Sequence, residues 1–274
     1  MFLIVLLLIF PSLVFAVEYE NDYGLELTQE EYTNLRKLYT EKYIDTMSPS
    51  EYAYIESLNL NYNTLQKTTK YIKSVTNTIT GTTTDYEISE TEYNNLDSGI
   101  APAASYIETQ YKQLSIIVGK ISQTSAYATV DLVWKVAPSV RSYDVIGMRL
   151  SNFGIINGSQ YGRQIYTASG NTSYVNYNYN GSNINNLSNG FGISMNLVDQ
   201  NITYLECTVS ANLATYGYPA TVFGSYQHAT SDITLAKSKS YSLASGGLGS
   251  VFSFTNNYGN YYDGMQGVYD GFNS

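Results

Sequence analysis

The sequence has very few of the residues that most often carry out chemistry in proteins. Its 274 residues include one cysteine, one histidine and one tryptophan. A zinc site usually draws on several histidine or cysteine ligands, so one residue of each type argues against such a site. A single cysteine also excludes an internal disulfide, although disulfides are common in secreted proteins. Cys207 alternates with Leu205 and Val209 in a strand-like run, which predicts a buried thiol rather than a reactive one.

Positive charge is also scarce. The chain has 14 lysines and arginines against 23 acidic residues, and its net charge is -9. All of this imbalance lies in residues 1–100, which hold fifteen acidic and six basic residues. Non-specific nucleic-acid binding depends on patches of lysine and arginine. The sequence therefore predicts that the protein binds neither nucleic acid nor anionic lipid.

Long apolar runs are absent after the first sixteen residues. Residues 1–10 are entirely apolar, and Val14 and Ala16 provide small side chains for a cleavage site. This pattern predicts a secretory signal peptide over 1–16, although no lysine or arginine precedes the apolar run. A retained membrane anchor is the alternative, but a bilayer span needs about twenty apolar residues. We expect a secreted or cell-surface protein without stable membrane insertion after cleavage, and export without disulfides favours a bacterial source.

A helix-capping signature occurs three times near the N-terminus. It starts at Thr28, Ser48 and Ser89, and a glutamate follows each of them three residues later. In this arrangement the hydroxyl and the carboxylate each accept a hydrogen bond from a backbone amide at the start of a helix. The signature predicts three helices, of which the first runs over 28–45.

A β-hairpin is predicted between the second and third helices. Its strands lie near 70–76 and 82–88, in a segment rich in threonine, valine, isoleucine and tyrosine. Together with the helices it forms a predicted acidic region over 17–98. A glycine, proline and alanine segment over 99–104 then breaks every pattern, and we expect a linker there.

From residue 105 onward, short alternating runs predict antiparallel strands. Val130, Leu132 and Trp134 share one face of such a run, and a further candidate strand covers 164–179. Seven or eight strands with almost no helical pattern predict a jelly-roll-like β-sandwich over 105–274. The predicted fold class is α+β, in which a small N-terminal region of short helices and a β-hairpin precedes an antiparallel β-sandwich.

No known catalytic motif surrounds the potentially reactive residues. His228 has no Gly-x-Ser-x-Gly elbow near it, so we interpret it as an ordinary strand residue. Asp263 and Asp270 belong to a repeated Tyr-Asp-Gly motif, for which a turn is favoured over a calcium site. Seven carboxylates could serve a polysaccharide hydrolase: Glu108, Asp131, Asp144, Asp199, Glu206, Asp232 and Asp263. Because the sequence does not pair any two of them, we assign no catalytic residue, metal ligand or cofactor.

The most distinctive segment, over 174–183, is rich in tyrosine and asparagine. Alternation predicts Val175, Tyr177 and Tyr179 on its buried face. Aromatic rings and amide groups together suit a polar, ring-shaped ligand such as a glycan. The predicted ligand contacts are the residues of the outward face: Tyr174, Asn176 and Asn178.

These observations predict a non-catalytic extracellular protein that binds a glycan or another cell-surface polymer. One alternative is a secreted hydrolase that uses carboxylates to cleave polysaccharide. A second alternative is a structural subunit of a surface layer or filament. Its exposed strand edges would pair between copies, so that the chain would self-associate.

Overall fold

The computed structural model describes residues 17–77, 79–96, 99–100, 107–244 and 251–273. The predicted signal peptide over 1–16 lies outside these ranges, as does most of the predicted linker. The chain divides into two compact units, Met1–Ala53 and Tyr54–Ser274. None of the helices in the described ranges is both long and apolar enough to cross a membrane.

Short elements make up the first unit. They are β1 (Tyr19–Glu20), β2 (Glu26–Leu27), α1 (Gln29–Leu38), α2 (Glu41–Asp45) and α3 (Pro49–Ser57), the last of which spans the boundary. The predicted cap at Thr28 is confirmed, because its hydroxyl accepts from the Glu31 amide and the Glu31 carboxylate accepts from the Thr28 amide. The prediction of one helix over 28–45 is wrong. Thr40 starts a new helix, since its hydroxyl accepts from the Tyr43 amide at 3.0 Å.

Strands dominate the second unit. In chain order its elements are β3 (Gln66–Asn77), β4 (Thr83–Ile88), α4 (Glu90–Asn94), β5 (Gly99–Ile100), β6 (Ile107–Lys120), β7 (Ser125–Trp134), β8 (Val136–Ala137), β9 (Tyr143–Ser151), β10 (Phe153–Ile155), β11 (Tyr161–Ala168), β12 (Asn171–Asn178), β13 (Ile184–Leu187), β14 (Gly190–Asn196), β15 (Ile202–Thr215), β16 (Ala220–Gln227), α5 (Leu235–Ser238), β17 (Tyr241–Leu243), β18 (Phe252–Phe254), a 3₁₀ helix (Tyr258–Tyr261) and β19 (Val268–Phe272).

Two antiparallel sheets form the sandwich. The larger has the strand order β12-β11-β15-β7-β6-β3-β4, with β10 also paired to β15. The smaller has the order β13-β14-β9-β16-β19. Apolar side chains from both sheets share one core, which includes Trp134 and Cys207. The predicted burial of both residues is confirmed, and so is the predicted α+β class with an antiparallel β-sandwich.

The predicted hairpin is present, but it lies in the larger sheet of the second unit. All twelve residues of β3 pair with β6, from Gln66 opposite Val118 to Asn77 opposite Ile107. The residue composition indicated strands, but it contained no information about their partner, because strand propensity is local and pairing is not. The predicted linker over 99–104 is described only at β5, which pairs in parallel with β8. The domain boundary predicted there stays a prediction.

Candidate functional site

The segment over 164–179 is a hairpin rather than one strand. Ser169 and Gly170 have φ values of 51° and 81°, a conformation typical of tight turns, and they join β11 to β12. Each residue of β11 pairs with one of β12, from Tyr161 opposite Asn178 to Ala168 opposite Asn171. The tyrosine- and asparagine-rich strand β12 is therefore an edge strand of the larger sheet, and β11 is its neighbour.

Burial along β12 agrees only in part with the alternation. Tyr177 is 8% exposed and belongs to the core, as predicted. Val175 and Tyr179 are 38% and 43% exposed, so their predicted burial is wrong. The two residues are exposed for different reasons. Val175 lies on an edge strand, which has a neighbouring strand on one side only, and Tyr179 lies beyond the last residue of β12.

Arg163 of β11 brings two of the three predicted contact residues together. Its guanidinium carbon lies 4.3 Å from the centre of the Tyr174 ring, and its Nε donates to Asn176 Oδ1 at 2.9 Å. Asn178 is exposed at the end of the strand and does not take part in these two contacts. Sequence reasoning missed Arg163 because the pairing of β11 with β12 places it opposite Asn176.

Two of the seven candidate carboxylates lie together on neighbouring strands. Thr208 Oγ1 donates to Asp131 Oδ1 at 2.7 Å and lies 3.3 Å from Glu206 Oε1. Burial raises the pKa of Asp131 well above its ordinary value, and the charge of Glu206 raises it further. Two adjacent carboxyl groups therefore tend to hold a proton between them. Both side chains are buried, whereas a glycosidase pair must flank a bound sugar.

A buried polar cluster joins the two sheets. It consists of Lys112, Trp134, Asp144, Tyr226, His228 and Asp263. Lys112 of the larger sheet forms an ion pair with Asp263, whose other oxygen accepts from the His228 amide at 2.8 Å. In the smaller sheet, Asp144 accepts from the Tyr226 hydroxyl and lies 2.9 Å from His228 Nδ1. Trp134 Nε1 donates to the Tyr226 hydroxyl at 3.2 Å.

This cluster does not contain a catalytic triad. Within the described ranges, Asp144 is the hydrogen-bond partner of the His228 ring, and no serine or cysteine side chain donates to that ring. Burial raises the pKa of the Cys207 thiol well above its ordinary value, which keeps that thiol protonated and unreactive. His228 directly follows β16, so it is not the strand residue that the sequence predicted, and it is buried. Its interpretation as a residue without a catalytic role stays a prediction.

The two aspartates of the Tyr-Asp-Gly repeat have protein partners. Asp270 accepts from the Thr68 hydroxyl and from the Gly271 amide, both at 2.8 Å. Asp263 is held by Lys112 and by the His228 amide. In the described part of the chain, no group of three or more histidine, cysteine, aspartate or glutamate side chains could hold a metal ion.

An open groove lies beside the turn between β3 and β4. We call it the turn groove. Its volume is about 440 Å³, and its lining consists of residues 79–81, 230–231, 256–258 and 260–261. The lining has no charged side chain, and it includes three asparagines and two tyrosines. This composition offers hydrogen-bonding groups and flat rings to a neutral, polar ligand.

Local hydrogen bonds shape both walls of the turn groove. On one wall, Asn77 Oδ1 accepts from the Ile79 and Thr80 amides at 3.0 and 3.1 Å. On the other wall, Asn256 and Asn257 adopt φ values of 52° and 61°, which asparagine tolerates better than most residues. These two residues turn the chain into the 3₁₀ helix, which begins at Tyr258.

The two tyrosines of the 3₁₀ helix flank one lysine. Lys237 Nζ lies 5.9 Å from the centre of the Tyr258 ring and 5.9 Å from the centre of the Tyr261 ring. A cation at this distance attracts the ring faces and limits their rotation. The Thr230 amide also donates to the Tyr261 carbonyl at 2.8 Å, so the backbone of the helix is tied to the neighbouring loop.

Comparisons with known proteins do not assign a family. No protein-family model matches the sequence, and no curated protein matches it. Among solved structures, the chain is similar to the KRT10-binding region domain of the pneumococcal serine rich repeat protein PsrP. The match has 11% identity and a TM-score of 0.33, and it covers 76% of this chain and 99% of that one. A likeness this weak establishes neither a family nor a function for the present chain.

Proposed function

We propose that the protein is exported and binds a glycan-like polymer, without catalysis, in the turn groove. The observation that carries this proposal is the lining of the groove, which combines neutral hydrogen-bonding side chains with the rings of Tyr258 and Tyr261. A sugar presents hydroxyl groups around its edge and apolar C–H groups on its faces, so it needs both kinds of contact. Tyr261 is 37% exposed, which leaves ring surface for such a contact.

Export is part of the proposal because of the N-terminus. The apolar run and small residues over 1–16 are typical of a signal peptide. An exported chain with one cysteine must derive its stability from packing, and the extensive apolar core between the two sheets supports this. We therefore propose a secreted or cell-surface location for the binding activity.

The outward face of β12 is a second proposed contact surface. This face has the same kinds of contact group as the turn groove, namely aromatic rings and amides, which belong to Tyr174, Asn176 and Asn178. Arg163 holds Tyr174 and Asn176 in fixed positions, which reduces the conformational entropy that binding would cost. A polymer could engage both surfaces, whereas a short oligosaccharide would engage one.

Glycan arrays and isolated cell walls test the proposed function. We expect Tyr258→Ala and Tyr261→Ala each to weaken binding about tenfold, which corresponds to about 1.4 kcal/mol. Tyr216→Ala is the matched control, because Tyr216 is 76% exposed and is not part of the groove lining. If both groove variants bind every responding preparation as tightly as the original protein does, the assignment of the turn groove is wrong.

A secreted polysaccharide hydrolase is the second candidate; Asp131 and Glu206 are the adjacent carboxyl groups to test for it, although both are buried. A screen for polysaccharide cleavage, repeated with Asp131→Asn and Glu206→Gln, separates the two functions. Cleavage that either substitution abolishes would support the hydrolase. A structural subunit would instead assemble by itself at high protein concentration, which sedimentation measures directly.

A further inference from the structure

A second cavity lies beside β4. We call it the strand groove, and its volume is about 370 Å³. Residues 83–87 line one side and residues 264–266 line the other. These segments directly follow the linings of the turn groove, at 79–81 and 256–261. The linings of the two grooves therefore come from segments that are close in sequence.

The strand groove differs from the turn groove in charge, because it contains a carboxylate without a counter-ion. Lys70 Nζ lies 3.2 Å from a Glu87 oxygen, so these two lining residues neutralise each other. Lys112, behind the groove, forms its ion pair with Asp263. Asp85 also lines the groove, and it forms no ion pair within the described ranges.

The strands behind Asp85 offer it one neutral hydrogen-bond donor, the Ser74 hydroxyl, which lowers the pKa of Asp85 and so opposes part of the effect of burial. Ser74 of β3 lies opposite both Asp85 of β4 and Gln110 of β6, so the three residues form one row across the sheet. In this row Ser74 Oγ, Asp85 Oδ1 and Gln110 Oε1 are buried oxygen atoms without a hydrogen-bond partner. Gln110 uses its amide nitrogen to donate to Glu108. The row thus has more acceptor oxygens than free donors, and none of its three side chains carries a positive charge.

The electrostatic balance agrees with this geometry. Burial raises the pKa of Asp85, and the positive charge of Lys112 only partly opposes that effect. A half-buried carboxylate is costly unless it has a charged or hydrogen-bonding partner. In the described ranges the protein supplies Asp85 with a neutral hydroxyl but with no ion-pair partner, and Asp85 lines the groove.

We propose that the strand groove binds a cationic amino group of the polymer, with the Asp85 carboxylate as its counter-ion. The inference rests on the proposed function and names its ligand class, a glycan with free amino groups. An ammonium group has three N–H donors and no acceptor, which complements an acceptor-rich site. Its hydrogen bond to a carboxylate is charge-assisted and stronger than a neutral one. The net charge of -9 would also attract a cationic polymer.

The test compares two probes that differ in the state of their amino groups: a β-linked glucosamine hexamer with free amines and the same hexamer fully N-acetylated. Binding is measured by calorimetry at a pH low enough to protonate the sugar amines. We expect the original protein to bind the free-amine hexamer at least tenfold more tightly. Asp85→Asn should remove this preference, whereas Asp199→Asn, which removes an exposed carboxylate outside the lining of the groove, should retain it. Added salt should also reduce the preference.

The outcomes separate this inference from the proposed function. Equal binding of both hexamers, weakened by Tyr258→Ala, would overturn the role of Asp85 and leave the turn groove intact. A full preference in Asp85→Asn would overturn it as well. If Asp85→Asn does not fold, a preference of the original protein that is independent of salt has the same meaning. Binding of neither hexamer would count against the proposed function and the inference together.

Discussion

At the scale of single residues, the buried carboxyl pair makes stability depend on pH. The pKa of Asp131 is higher in the folded protein than its ordinary value of 3.8, because of burial and the neighbouring Glu206. As the pH rises above about 4, the carboxyl of the unfolded chain therefore loses its proton before that of the folded chain does. This difference favours unfolding at higher pH. The stability cost is absent in acid and fully present at a pH above the folded pKa.

Asp131→Asn should remove this cost. We expect the variant to melt at a higher temperature than the original protein at neutral pH, and to show no such gain below about pH 4. Asparagine can still accept the hydrogen bond from Thr208. The matched control is Asp232→Asn, because Asp232 is exposed and should show no pH-dependent difference. Thermal melting over a pH series is the measurement, and a gain that does not vary with pH would contradict the explanation.

At the scale of elements, β12 shows how the position of a strand in its sheet changes the role of its residues. Tyr177 packs into the core, while Tyr179 is exposed just beyond the strand. We expect Tyr177→Ala to lower the free energy of unfolding by about 3 kcal/mol, because it leaves a cavity. Tyr179→Ala should change it by less than about 0.5 kcal/mol. Urea denaturation measures both, and equal losses would mean that the burial of β12 is different from that described.

At the scale of the whole molecule, the buried polar cluster connects the two sheets. Lys112 belongs to the larger sheet, and its partner Asp263 is held by the backbone next to the smaller one. We expect Lys112→Met to destabilise the protein by about 3 to 5 kcal/mol, since it leaves a buried carboxylate without its cation. The double variant Lys112→Met/Asp263→Asn should be more stable than the single one. Thermal unfolding checks this order, and a double variant that is less stable would contradict the ion-pair explanation.

The net charge of the whole molecule limits which classes of macromolecule it can bind. The acidic excess lies in the first hundred residues, and the remaining residues are balanced. No stretch of the chain has the lysine and arginine density that nucleic-acid binding requires. We therefore expect no binding to nucleic acid, and this stays a prediction. The cationic polymer proposed above is consistent with the net negative charge.

The sequence by itself determined the features that depend on neighbours along the chain. The cap at Thr28, the hairpin of β3 and β4 and the burial of Trp134 all follow from residues a few positions apart. Capping bonds and period-two alternation are local, so a single sequence contains the information that they need. For the same reason, sequence reasoning recognised the tyrosine- and asparagine-rich segment as unusual.

Only the tertiary structure decided which distant residues meet. Asp131 and Glu206 come together because β7 pairs with β15, and Arg163 reaches Asn176 because β11 pairs with β12. The turn groove likewise needs the hairpin turn beside a loop that lies far along the chain. Strand register and sheet order arise from the packing of the whole core, and local propensity carries no information about them. Local sequence therefore indicates which residues are suited to a binding site, while long-range strand pairing determines which of them come together.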